Sequence, residues 1–106
     1  MDLLGKKEFY NNLFDQYSEL LTLKQQEYFK SYYFDDLSLA EIAEIHNVSR
    51  SAIFDQLKKI YTLLEQYEEK LGLVDKEKKR NEIYDGYLNS DNPEILELIE
   101  KLKNVE

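Results

Sequence analysis

The sequence contains no cysteine, one proline and only three glycines among its 106 residues. Without cysteine, the chain can form neither a disulfide framework nor a thiolate metal site. Proline and glycine are the strongest helix breakers, and Pro93, Gly5, Gly72 and Gly86 leave long uninterrupted intervals. No segment alternates apolar and polar residues for long enough to predict a strand. We therefore predict an all-α fold.

Long apolar runs are also absent. None approaches the roughly 18 residues that a membrane-spanning helix requires, and residues 1–8 lack the apolar core of a signal peptide. The only histidine is His46, no glycine-rich phosphate loop is present, and the adjacent carboxylates are typical of turns or surface. We therefore expect a soluble cytoplasmic protein that is not an enzyme and holds no metal or other cofactor.

Basic charge is scarce. The chain carries 22 Asp and Glu against 14 Lys and Arg, which gives a formal net charge of −8. The acidic excess extends over both residues 1–70 and residues 71–106, so no acidic tail can be set aside to leave a basic domain. A nucleic-acid binder usually shows a basic surface, so any affinity for phosphate must come from a local patch.

Apolar spacing and capping residues predict a succession of helices. Their approximate ranges are 7–20, 22–34, 38–45, 49–71, 75–88 and 93–103. The buried stripe of the first helix is expected to contain Phe9, Leu13, Tyr17 and Leu20. We predict that residues 1–74 form one part with a long fourth helix. Residues 75–106 would form a helical tail that packs or dimerises and belongs to the same compact unit.

Residues 38–57, SLAEIAEIHNVSRSAIFDQL, contain the most informative pattern in the chain. Ser38 and Glu41 form a capping-box pattern, Ala43 is a small residue where two helices approach, and Val48 closes a turn. Further apolar positions are expected on the buried side of the pair: Leu39, Ile42, Ile45, Ile53 and Leu57. Asn47 tolerates the left-handed conformation of the turn, and Ser49 caps the next helix. This pattern predicts a helix-turn-helix.

The segments Ser38-Leu39-Ala40-Glu41-Ile42-Ala43 and Asn47-Val48-Ser49-Arg50 resemble the helix-turn-helix of sigma-factor region 4. With residues 13–26, 32–39 and 48–71, they resemble more closely the YlxM-type family of small bacterial DNA-binding proteins. The resemblance covers about residues 8–73. It implies a DNA-binding regulatory protein, and it also implies a link to the signal recognition particle pathway, because such genes often neighbour its components. One departure is His46, which stands where the family motif usually has an aromatic residue.

The second helix of the motif would present its first turns to a major groove. The candidate nucleic-acid-binding residues are Ser49, Arg50, Ser51, Asp55, Gln56, Lys58 and Lys59. Arg, Gln and Ser can bind base edges, and the two lysines and the capped helix start can contact phosphate. In the alternative, Arg50 pairs with Asp55 or another acid, the lysines are solvated, and Asp55 repels phosphate.

Farther along the same helix, apolar residues repeat every seven positions. The predicted seam contains Leu57, Ile60, Leu64, Tyr67 and Leu71. It predicts a homodimer formed by the end of the fourth helix and the tail, unless the seam packs only on its own chain. The aromatic residues favour core and interface packing over a stacking surface for RNA, and Phe54 is the one most expected to be exposed.

Two functions therefore stay open. The first is a helix-turn-helix DNA-binding regulatory protein associated with the signal recognition particle pathway. The second is an acidic protein-interaction adaptor, or RNA binder, of that pathway, with the helix-turn-helix as a scaffold. The basic run at residues 76–80 would contact the backbone of DNA or structured RNA, or it would be the solvated start of a helix.

Overall fold

A computed structural model describes residues 3–106, with side chains from residue 6 onward. The helices, in chain order, are α1 (Leu3–Tyr17), α2 (Leu23–Tyr33), α3 (Leu39–His46), α4 (Arg50–Leu71), α5 (Leu73–Tyr87) and α6 (Pro93–Val105). A short 3₁₀ helix, Ser18–Leu20, follows α1. No strand occurs within residues 3–106, which confirms the predicted all-α fold. The predicted starts of the first and fifth helices were wrong, since α1 begins at Leu3 and α5 follows directly after Gly72.

The chain divides into two units: Met1–Gly72, here called the head, and Leu73–Glu106, here called the tail. The head holds α1 to α4, and α4 packs against each of the three preceding helices. The tail consists of α5 and α6, which pack on each other. That residues 1–74 and 75–106 form the same compact unit stays a prediction; residues 1 and 2 lie outside the described part.

Aromatic rings fill much of the core of the head. The Phe29 ring stacks on Phe14 and on Tyr33, with centroids 4.2 Å apart in each case, and the Tyr10 ring stacks on Tyr61 at 4.2 Å. The largest fully buried side chains in the described residues are Tyr17, Phe29, Leu13, Ile42, Ile53, Ile60 and Leu64. Offset-stacked aromatic pairs add roughly 0.5–1.5 kcal/mol beyond the area that they bury. Most predicted core residues therefore do lie in the core.

Three residues that the pattern placed on buried faces are instead exposed. Phe9 is 38% exposed, Leu20 is 55% exposed and Ile45 is 64% exposed. Leu20 lies in the 3₁₀ turn, which rotates it away from the α-helical stripe. The buried side of α3 is defined by Ile42 and Ala43. Because each residue of an α-helix is rotated by about 100° about the helix axis, the Ile45 side chain points roughly 110° away from that buried side.

The predicted helix boundaries at the motif are confirmed by their hydrogen bonds. The Ser38 hydroxyl accepts from the Glu41 amide at 3.1 Å, and the Glu41 carboxylate accepts from the Ser38 amide at 3.1 Å. The bond from the Ser38 amide, followed by the interaction of the carboxylate with the Ser38 side chain, lowers the pKa of the Glu41 carboxyl, since both favour its charged form. Asn47 has φ 55° and Gly72 has φ 62°, so both helix ends use the left-handed conformation.

Tyrosine hydroxyls tie α4 to the rest of the head. Tyr10 donates to the Glu65 carboxylate at 3.1 Å, and Tyr33 donates to the Tyr61 hydroxyl at 2.8 Å. Burial, followed by the bond to Glu65, raises the pKa of Tyr10 to about 12. Burial, followed by the hydrogen bond shared with Tyr33, also raises the pKa of Tyr61 well above its usual value. Both phenols are therefore held in the neutral form.

These shifts predict a loss of stability in alkali. A phenol whose folded-state pKa is raised contributes stability that is complete below about pH 10 and is lost as the pH rises through the folded value. We expect ultraviolet absorbance near 295 nm to show some of the nine tyrosines ionising only above about pH 12, together with unfolding. The same titration of the chain in guanidinium chloride is the control, and coincident native and denatured curves would contradict the assignment.

Candidate nucleic-acid interface

A buried corner joins α3 and α4. Ile42 and Ile53 are completely inaccessible, and Ala43 and Leu57 are buried beside them. The Val48 amide donates to the Ala43 carbonyl at 3.0 Å, which closes the turn, although the Val48 side chain is 42% exposed. This geometry fixes two short helical segments around a tight turn, as a helix-turn-helix requires.

His46, the departure from the family motif, ends α3 and contacts an aromatic residue. Its imidazole meets the Tyr28 ring edge to face, with ring centroids 4.8 Å apart. The side chain is half-buried, so it lies at the edge of the core. His46 thus occupies the place of the usual aromatic residue by packing, and no ligand role is needed to account for it.

The first half of α4 directs a polar stripe away from this core. About 100° per residue places Ser51, Asp55 and Thr62 within roughly 40° of the direction opposite the buried side. Lys58 and Lys59 flank that line on either side, and all five residues are exposed. We call these five residues the outer stripe of α4. Its shape suits a major groove, which admits one α-helix.

Cations predominate around the outer stripe. Arg50 is exposed in the first turn of α4, so residues 49–59 hold three basic side chains and one acid, Asp55. Within the described part of the chain, none of these four side chains forms an ion pair. The alternative pairing of Arg50 with Asp55 therefore does not occur there. The Lys58 ammonium instead lies 5.1 Å from the centroid of the Phe54 ring.

The remaining candidates have more restricted side chains. The Ser49 hydroxyl accepts from the Ala52 amide at 3.1 Å, so it caps α4 as predicted. It also lies 3.1 Å from the Ser51 hydroxyl. Gln56 is half-buried, so less of its amide is open to a base than the side chains of the outer stripe. Phe54 is 49% exposed, as the sequence predicts.

Sequence reasoning did not select Thr62. Its hydroxyl donates to the Lys58 carbonyl at 3.1 Å, and its side chain is exposed one helical turn after Lys58 and Lys59. Continuing the helical spacing from the polar positions of α4, rather than from its apolar positions, would have identified Thr62 in the sequence.

Most of the predicted dimerisation seam packs inside the head itself. Leu57, Ile60 and Leu64 are at most 3% exposed, because α1, α2 and α3 cover them. Tyr67 is half-buried, and its hydroxyl donates to the Leu20 carbonyl at 3.4 Å. Leu71 alone is largely open, at 46%. A role in dimerisation for the three buried residues would require the head to open, so the alternative of packing on the same chain describes them better.

Outside the motif, the basic run of α5 is partly neutralised. Lys79 forms an ion pair with Asp75 at 2.8 Å, and Arg80 bonds to the carboxylate of Glu106. Within residues 3–106 no helix is long and apolar enough to cross a membrane. No cluster of His, Asp and Glu in this part of the chain could hold a metal ion.

Comparison with known proteins identifies the family. Residues 4–105 match the family UPF0122, described as "Putative helix-turn-helix protein, YlxM / p13 like". A UPF0122 protein of Bacillus licheniformis is 45% identical over 105 residues, which cover 97% of this chain and 98% of that protein. One from Listeria innocua is 45% identical over 102 residues, covering 91% and 93%, and one from Bacillus cereus strain AH187 is 42% identical over 109 residues, covering 94% and 99%. The chain belongs to the UPF0122 family of YlxM/p13-like helix-turn-helix proteins.

Proposed function

We propose that this protein is a DNA-binding regulatory protein that inserts the outer stripe of α4 into a major groove. The observation that supports this most is a set of three exposed cations that form no ion pair within the described residues: Lys58 and Lys59 on the side of α4 away from the core, and Arg50 in its first turn. Arg50 would bind a guanine edge, and the two lysines would contact phosphates. Membership of a helix-turn-helix family agrees with this role.

The net charge of −8 limits the expected affinity. Only two lysines are available for phosphate contacts on the outer stripe, so the slope of log affinity against log salt should be about −1.8. Asp55, about one helical turn before the two lysines, repels phosphate, but its carboxylate can accept from the amino group of cytosine. We therefore expect modest affinity at low salt, with sequence preference supplied by base contacts.

We also propose that the protein is a cytoplasmic homodimer. A homodimer would offer two α4 helices to paired half-sites of an operator. The resemblance to YlxM-type proteins is the ground for including an association with the signal recognition particle pathway, in the cytoplasm. The acidic net charge favours a second candidate function, an acidic adaptor or RNA binder of that pathway in which the helix-turn-helix serves as a scaffold.

Binding measured against salt separates the two candidates. Fluorescence anisotropy would use random duplex DNA and the RNA of the signal recognition particle, each at low and moderate salt. The DNA-binding proposal expects duplex DNA to bind at low salt with the slope given above. Absence of binding to both nucleic acids at low salt, together with binding to a protein of the translocation pathway, would refute it in favour of the adaptor.

A further inference from the structure

The tail is an antiparallel hairpin of two helices with no third layer of its own. The Arg80 guanidinium and the Tyr84 hydroxyl both bond to the Glu106 carboxylate, the latter at 2.8 Å. The Lys103 ammonium lies 5.6 Å from the centroid of the Tyr84 ring. These contacts place the end of α6 beside the middle of α5, and they fix the register of the hairpin.

An apolar groove of about 230 Å³ runs between the two helices. It is lined by Ile83, Tyr84, Tyr87, Ile95, Leu98, Ile99 and Leu102. Of these residues only Tyr84 and Ile99 are buried. Ile83 is 61% exposed, Tyr87 is 54% exposed and Leu98 is 55% exposed. Such a contiguous apolar surface is unfavourable in water and typical of an interaction site.

Charge is segregated at the two ends of this groove. Residues 75–80 and 100–106, which form one end, contain six basic and four acidic side chains, whereas residues 85–97 at the other end contain four acids and no basic side chain. The first end stays net basic although Lys79 pairs with Asp75 and Arg80 with Glu106. A rise of 1.5 Å per residue places Lys79 and Glu94 at roughly 10 Å from the groove centre, on opposite sides. Lys76 and Asp91 extend these basic and acidic ends outward, and all four side chains are exposed.

We propose that the groove binds the same groove of a second copy of this chain, with the two hairpins antiparallel. A two-fold axis through the groove centre would bring the basic end of each copy against the acidic end of the other. The apolar side chains would then meet in a four-helix arrangement. This inference deepens the homodimer part of the proposed function by naming its surface, and it does not depend on DNA binding.

The charge pattern selects a second copy over other occupants. A nucleic acid would be repelled by the acidic end, and it would leave the apolar side chains in water. A membrane surface rich in anionic lipid would be repelled by the same end. In a parallel arrangement of two copies, like charges would face each other at both ends, which is unfavourable. The antiparallel pair buries the apolar groove and also brings opposite charges together at both ends.

Sedimentation equilibrium of the full chain at low salt tests the apolar part. Leu98→Asp should raise the dimer dissociation constant roughly 30-fold or more, because each dimer loses two leucine contacts. Leu20→Asp is the matched control, since Leu20 is equally exposed, at 55%, but lies in the head; it should leave the dimer intact. A dimer unaffected by Leu98→Asp would overturn this surface while leaving a homodimer through another face.

Charge exchange tests the antiparallel arrangement without altering apolar side chains. K76E/K79E and D91K/E94K should each associate far more weakly at low salt, because the first makes the basic end net acidic and the second neutralises the acidic end, so the attraction between the two copies is lost at both ends. A one-to-one mixture should regain association as a heterodimer, and circular dichroism should show that each variant is folded. Failure of the mixture to associate would overturn the antiparallel arrangement.

A wild-type chain that stays monomeric to about millimolar concentration, where even weak association would register, would overturn both this surface and the homodimer.

Discussion

Replacing Arg50, Lys58 and Lys59 together by alanine should lower affinity for duplex DNA at low salt roughly 30-fold or more. Loss of one arginine that binds a base edge costs about 1–3 kcal/mol, and the two lysine contacts add to it. Each lysine that contacts phosphate contributes about 0.9 to the salt slope, so the slope of the triple variant should fall close to zero. Fluorescence anisotropy over a salt series measures both quantities.

The control must change net charge by the same amount elsewhere. Lys24, Lys30 and Lys101 are exposed and lie outside α4. Their joint replacement by alanine also removes three positive charges, so it reproduces any general effect of a more acidic chain. We expect this control to keep most of the affinity and the original slope. Equal losses in the two triple variants would mean that overall charge, rather than the outer stripe, governs binding.

Ile53→Ala should have the largest effect on stability in the helix-turn-helix. Ile53 is completely buried at the junction of α3 and α4, where Ile42 is equally buried. Truncating such a residue removes apolar burial and leaves a cavity in a closely packed interior, which costs about 2–5 kcal/mol. A head of this size is only marginally stable, so this variant should be largely unfolded at moderate temperature.

Ile45→Ala supplies the matched control, since it makes the same substitution in the same motif. Ile45 is 64% exposed on α3, and alanine has the higher helix propensity. Its free energy of unfolding should stay within about 0.5 kcal/mol of the original. Urea unfolding followed by circular dichroism would measure both variants. Similar losses for the two isoleucines would contradict the burial that defines the corner.

The features that could be predicted from the sequence depend on neighbouring residues. Ser38 with Glu41 marks the start of α3, and Ser49 marks the start of α4, because a capping hydroxyl bonds to an amide three residues away. Asn47 and Gly72 mark helix ends because they tolerate the left-handed conformation. Family resemblance added the relative placement of the two helices, which these local signals alone leave open.

The partners of apolar side chains could not be predicted in the same way. A seven-residue repeat through Leu57 and Leu64 fits a dimer seam and an internal core equally well, because both require an apolar stripe on one side of α4. In the structure, α1, α2 and α3 pack on α4, and that stripe is buried within the head. The sequence analysis did not predict the groove of the tail for a related reason. The apolar pattern of α5 and α6 does not indicate which of these side chains stay exposed in the folded tail.

The candidate site could also be predicted only in part. The motif identified the candidate residues on α4, but it did not predict which side chains they contact. The contact of Lys58 with Phe54 and the position of Thr62 on the outer stripe depend on side-chain directions along α4. Residues five apart do not share a helical face, so the sequence itself disfavours a pair between Arg50 and Asp55. That Arg50 pairs with no other acid of the described chain required coordinates.

Nuclear magnetic resonance of the ¹⁵N-labelled chain during titration with a short DNA duplex at low salt would show which residues contact the DNA. Amide shift changes should concentrate in residues 49–62, with lesser changes in α3 and none of comparable size in α6. Shift changes confined to α5 and α6, or no change at saturating DNA, would contradict the assignment of the outer stripe as the DNA-binding surface.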